Sequence, residues 1–106
     1  MNAWFTLLAA AVFEIAWAVG LKSTQGFTRL LPSIGVIAAL IASFYLLALA
    51  TRTLPIGTAY AVWTGIGAAG TAVLGMALLG ETASLWRIGC VALIVLGVVG
   101  LRVGPS

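Results

Sequence analysis

Glu14 is the residue whose chemistry needs a reason. It stands among alanine, valine, phenylalanine and isoleucine, and the nearest cation in sequence is Lys22. Eight residues of helix separate the two, about 12 Å at 1.5 Å per residue. An ionised, unpaired carboxylate in the middle of a membrane span costs about 2.5–3.5 kcal/mol on insertion scales and is by default a functional site. Three chemistries are open to it. It can be protonated and inert, hydrogen-bonded to a neighbouring helix. It can carry protons alone. It can also hold a proton and an external cation in turn. Ala10, Ala11, Trp17 and Ala18 lie three or four residues away and share its helix face. The alanines leave room and Trp17 supplies an aromatic wall. Tyr60 and Trp63 are three apart on another segment, and Ser43 is a lone hydroxyl midway along a third. Aromatic faces attract cations by about 0.5–2 kcal/mol. Hydroxyls can hold a carboxylate or receive the N–H groups of a cation. Each of these side chains also has a packing role open to it, Ser43 by bonding back to its own helix. Taken together, Glu14, Trp17, Ser43, Tyr60 and Trp63 form a candidate site for protons and a small organic cation.

The elements that must position these residues follow from composition. Of 106 residues, 63% are apolar and 7% charged, with a mean hydropathy of +1.24. Soluble domains carry about 25% charged residues. A solvated globule, a disordered tail and a nucleic-acid binder are therefore excluded; the five cations are spread along the chain, not clustered. There is no histidine and one cysteine, Cys90, so neither a metal centre nor a cofactor is expected. Cys90 reads as a small buried hydrophobe. With no catalytic constellation beyond one acid, an enzyme is not expected. A bilayer core of about 30 Å takes about 20 apolar residues as helix. The long apolar runs, of which the first holds one charge, Glu14, and the last has Arg87 and Arg102 near its ends, give four spans, 3–21, 31–50, 56–79 and 85–103, in one four-helix transmembrane domain covering 1–106. Backbone groups in lipid must be satisfied internally, which makes helices the default, and the short turns make neighbouring helices antiparallel. The acidic residue inside the first apolar run, and the lack of Lys or Arg before it, argue against a cleaved signal peptide. Trp4 and Trp86 fall at span ends, where an interfacial belt is expected.

Positive charge sets orientation only weakly. Lys22, Arg29 and Arg87 fall on one side, Arg52 and Arg102 on the other. Such a small bias fits a chain that inserts both ways and pairs with an inverted copy of itself. Secondary transporters commonly place their site between two inverted repeats, and a four-span chain supplies one repeat. An antiparallel homodimer would supply both and bring two Glu14 side chains together, titrating as a pair. Glycines divide by span. Gly65 and Gly67 in the third permit a bend or close packing. Gly89 and Gly97 share a face of the fourth and are assigned to dimerisation.

At this point the chain resembles the small multidrug resistance family over nearly its whole length. The resemblance is carried by Glu14-Ile15-Ala16-Trp17, by Gly26-Phe27-Thr28-Arg29, and by the long stretch from Pro55 through Tyr60 and Trp63 to Gly67. It implies an all-α membrane protein, an antiparallel dual-topology dimer in the bacterial inner membrane, and export of cations coupled to protons on two central glutamates, matched here by Glu14. Within the family the chain looks most like the guanidinium-exporting subtype, which has Trp three residues after the glutamate, as Trp17 is. The subtype's Ser, Tyr and Trp positions fall on Ser43, Tyr60 and Trp63. It usually has Gly three residues before the glutamate, where this chain has Ala11. That methyl keeps a second expectation open, a quaternary ammonium exporter of the same fold. A third is one half of an obligate heterodimer, and a fourth, from another class, is a proton-carrying ring subunit.

Overall fold

The computed structural model describes residues 2–104. Its helices are α1 (Ala3–Gly20), α2 (Leu30–Ala50), α3 (Ile56–Leu78) and α4 (Leu85–Val103), with no strand among the described residues. They hold 18, 21, 23 and 19 residues. At 1.5 Å per residue they are about 27 to 35 Å long, the thickness of a hydrocarbon core. Each is apolar enough to cross a membrane.

Local chemistry fixes the ends. Asn2 caps α1 by accepting the Trp4 amide at 2.8 Å, and Ser84 caps α4 by accepting that of Arg87 at 3.2 Å. Pro55 stands just before α3, where a missing N–H is harmless. α1 runs on into a 3-10 turn, Leu21–Thr24. The chain then reverses through Gln25, Gly26 and Phe27, all left-handed at φ 50°, 74° and 65°. Gly26 takes that conformation freely; its neighbours do not. Thr24 holds them there. Its hydroxyl donates to Leu21 O at 2.7 Å and accepts the Phe27 amide at 3.1 Å. Its carbonyl accepts the amides of both Thr28 and Arg29.

α1 is the centre of the bundle. It packs against α2 and α3, which touch each other little, and α4 packs on α3. The core joins Leu7, Ala10 and Ala11 of α1 to Leu47 and Ala50 of α2 and Ala59, Val62 and Trp63 of α3. Alanines at the contacts let the backbones approach, which is how membrane helices gain packing without a hydrophobic drive between them. This tight core lies toward the Trp4 end. There the Arg102 guanidinium sits over the Trp4 ring, 4.7 Å from its centroid, and Trp4 packs against the core. Trp4 therefore ties α1 to the end of α4, beyond the belt role expected of it; Trp86 is 81% exposed at the start of α4.

One expectation changes. Cys90 is exposed in the single chain, not buried. α4 buries no residue in the single chain, because it rests mainly on α3 and its central stretch is apolar all round, so composition could not say which face was covered. α3 runs as one helix from Ile56 to Leu78, and of the two roles expected of Gly65 and Gly67, a bend or close packing, the contacts bear on the second. Both glycines admit close neighbours: a Cβ at Gly65 would collide with Val98 of α4, and one at Gly67 with the Glu14 carboxyl.

Candidate functional site

The site is built where α1, α2 and α3 meet. Ser43 of α2 is fully buried. Its hydroxyl donates to Ala10 O of α1 at 2.7 Å and accepts the Trp63 indole N–H of α3 at 2.9 Å. One hydroxyl thus ties three helices at one level. Ala10 O is also the carbonyl that accepts the Glu14 amide in a regular α-helix, so the tie is made one turn before the acid. Ser43 has spent its only proton. It keeps one lone pair for an N–H donor and has nothing left to donate to a carboxylate.

Trp63 is held on three sides. Beside its hydrogen bond, Phe44 meets it edge-on at 5.2 Å between centroids and 60° between planes. Tyr60 does so at 5.5 Å and 64°. Both are favourable aromatic geometries. Trp63 is 4% exposed, while Tyr60 is 53% exposed and presents its ring outward. Of this aromatic cluster, Tyr60 is therefore the face open to an incoming cation or to a second chain.

Glu14 sits a turn further along α1. Gly67 of α3 makes room for it, its Cα lying where any side chain would strike the carboxyl. Glu14 Oε2 is buried and has no hydrogen-bond partner, and neither does the buried Trp17 Nε1. The one salt bridge among the described residues is Glu81–Arg87, at 3.0 Å, so the structure gives Glu14 no cation. The carboxyl opens into a pocket of about 460 Å³, lined on one side by Glu14, Ala18 and Lys22 and on the other by Gly67, Thr71 and Gly75, with Glu81 also in its wall. A larger cavity of about 580 Å³ lies between α3 and α4, with aliphatic and glycine lining only; nothing in it could hold a charge.

The five residues singled out in the sequence thus fall into two groups. Ser43, Tyr60 and Trp63 are brought into one cluster. Glu14 is joined to it through the Ala10 carbonyl, and Trp17 stands beside Glu14 on α1 with its N–H free. None of Trp17, Ser43, Tyr60 and Trp63 lines the Glu14 pocket of the single chain. Sequence reasoning missed Thr71, the Ala10 carbonyl and Phe44, and it did not say which neighbour Gly67 makes room for. The spacing of Gly67, Thr71 and Gly75, four apart, was the available signal: these positions share one helix face. Gly89 and Gly97 face open space, where an added Cβ meets nothing within 4 Å. Among the described residues no group of His, Cys, Asp or Glu could hold a metal ion.

Comparison with known proteins bears on what this arrangement serves. The family described as Small Multidrug Resistance protein matches residues 2–94. The chain belongs to the small multidrug resistance family. It is therefore a multi-pass transporter of the bacterial inner membrane and not an enzyme. Among its relatives is a protein of Citrobacter freundii named Guanidinium exporter, 59% identical over 99 residues, or 93% of this chain and 94% of that protein. Proteins of the same name from Yersinia pseudotuberculosis and Escherichia coli K12 are 57% and 56% identical. These matches span 94% and 93% of this chain, and 96% and 94% of the two relatives.

Proposed function

We propose that this chain exports guanidinium in exchange for protons, as an antiparallel homodimer in which two Glu14 carboxyls are shared between H⁺ and the cation. The observation that carries the reading is the half-buried Glu14 carboxyl itself, set beside Gly67 with Oε2 buried and unpartnered and without a protein cation. A group so placed is satisfied either by a proton or by a charged ligand. Guanidinium suits it. Its planar fork of N–H donors matches carboxylates with charge-assisted bonds. The remaining lone pair of Ser43 and the exposed ring of Tyr60 are complementary to N–H groups and to the cationic face. Like the arginine side chain, it does not lose its proton near neutrality, so it cannot cross a membrane as a neutral amine. Two carboxyls set an upper limit of two protons released per cation bound. The relatives named Guanidinium exporter support the choice of substrate.

The test is pH-driven guanidinium uptake in proteoliposomes, together with proton release on adding guanidinium to the detergent-solubilised protein. Glu14→Gln is expected to abolish both and to leave a folded dimer. Undiminished exchange by the mutant would end the reading. Expression of the chain alone, followed by the same assay, separates a homodimer from half of a heterodimer. One observation favours a second substrate class. Ile34, Ile37, Ile41 and Phe44 of α2 are all exposed and lie three or four residues apart, an apolar stripe along which an alkyl tail could rest. Uptake of tetraalkylammonium ions at rates matching guanidinium would shift the proposal to that class.

A further inference from the structure

The pocket beside Glu14 has a direction. Along α1, Glu14, Ala18 and Lys22 follow at intervals of four; along α3, Gly67, Thr71 and Gly75 do the same, and both rows line the pocket. It therefore extends about 12 Å from the carboxyl toward the turn, where Lys22 and Glu81 stand in its wall. The Glu81 carboxyl lies over Gly75, so close that a Cβ there would come within 2.8 Å, and Arg87 pairs with it. Thr71 is the one hydroxyl in that wall. Its Oγ1 is buried and has no partner. Other hydroxyls in the chain satisfy themselves locally. Thr6, Thr24, Thr28, Ser33 and Thr51 each donate to a carbonyl three or four residues back, the usual resort of such a side chain. Thr71 forgoes that bond and lines the same cavity as the unpartnered Glu14 Oε2. Two buried polar atoms on one roomy cavity that also carries Lys22 and Glu81 in its wall fit bridging water, which needs both room and polar partners.

We propose that the cleft between α1 and α3 is a wetted access route joining Glu14 to the membrane face at Lys22 and Glu81, and that Thr71 positions the water through which protons and small hydrophilic cations reach the carboxyl. The inference rests on the exchange reading above for its cargo and not for its geometry. The glycines keep the route wide, and the Thr71 hydroxyl replaces bulk water at its midpoint. At the opposite end a pocket of about 480 Å³ is lined by Ala3, Thr6, Leu49, Arg52 and Thr53 and does not include Glu14; between the two, Leu7, Ala10, Ala11 and Trp63 close the core. Thr71 does not bond Glu14 in this structure; it acts through the solvent between them.

Two measurements test it. In a Cys90→Ser background, Thr71→Cys is expected to react with a cationic, water-soluble methanethiosulfonate reagent, and guanidinium should slow that reaction. Val73→Cys, on the apolar side of α3, is expected to react much more slowly. Secondly, Thr71→Val leaves no protein group unsatisfied, because Oγ1 has no protein partner, so folding is unimpaired. It should lower the rate of pH-driven guanidinium uptake about three- to tenfold, the worth of one lost hydrogen bond, with the protons released per guanidinium bound unchanged and Thr71→Ser restoring the rate. Thr71→Cys reacting no faster than Val73→Cys, or Thr71→Val running at the wild-type rate, would overturn the route. Failure of the exchange reading is distinguishable: the wild-type protein itself would then move no guanidinium, and the thiol reaction would still judge whether the cleft is wet.

Discussion

Replacing Ser43 by alanine tests whether the three-helix tie is what the structure makes it. The change removes the acceptor of the Trp63 indole N–H and the donor to Ala10 O. The two losses are unequal. Ala10 O keeps its helix bond from the Glu14 amide, whereas the Trp63 N–H, on a side chain 4% exposed, is left without a partner. An unsatisfied buried donor costs about 1–3 kcal/mol. Hydrogen bonds between membrane helices average about 0.6 kcal/mol and reach about 1.7. Ser43→Ala should therefore destabilise by about 1–2 kcal/mol, the low end of the first range meeting the high end of the second. Trp63→Phe removes the donor itself. In that background Ser43→Ala should cost only about 0.5 kcal/mol, which leaves a coupling energy near 1 kcal/mol. Equilibrium unfolding of the four proteins in mixed micelles reads the cycle. If Ser43→Ala costs the same with and without the Trp63 N–H, the bond does not join α2 to α3 in the membrane and the positioning argument for Glu14 falls with it.

Other outcomes follow from the same contacts. Gly67→Ala sets a methyl against the Glu14 carboxyl; overpacking of this kind costs about 1–3 kcal/mol, up to about a hundredfold in affinity at 1.4 kcal/mol per tenfold. Guanidinium-driven proton release should weaken accordingly while the helices remain intact by circular dichroism, and unaltered affinity would show that the carboxyl does not rest there. Gly97→Leu projects into open space in the single chain, so it should leave the subunit folded and weaken association, read as a rightward shift in the concentration dependence of subunit energy transfer in bilayers. An unchanged curve would take Gly97 out of the contact between copies.

The four helices were legible because lipid imposes a length and a polarity rule that long uncharged runs satisfy, and the Glu14 problem was legible because a lone acid in such a run has no ordinary explanation. What lay hidden is contact. Ser43 and Trp63 are twenty residues apart, and nothing in their spacing says that one hydroxyl would serve the indole of α3 and the backbone of α1 together. Gly67 was visible as a glycine, yet whether it bends a helix or yields space to a neighbour depends on what stands opposite. Cys90 was misplaced for a related reason: a helix that is apolar all round carries no periodic record of which face meets protein. Thr71 was passed over because a helical threonine ordinarily satisfies itself on its own backbone, and only coordinates reveal one that does not.

The single chain is lopsided, and the lopsidedness has a mechanical consequence for the proposed dimer. One end of the bundle is closed by the aromatic and alanine core, with Arg102 over Trp4. The other opens through the α1–α3 cleft. Turn a second copy over and its closed end lies beside the first copy's open end, while α4, none of whose own residues is buried in one chain, is free to meet its counterpart. If one subunit then tightens as the other loosens, the two Glu14 carboxyls pass from one membrane face to the other, and the states before and after have equal energy because the chains have exchanged roles. A ligand binding both states equally shifts neither, so the direction of transport is left to the gradients of the proton and the cation, not to the protein. Spectroscopic populations of the two states in a symmetric bilayer at one pH should therefore be equal, with guanidinium and without it. A standing excess of one state would mean that the copies are not equivalent and would favour a heterodimer.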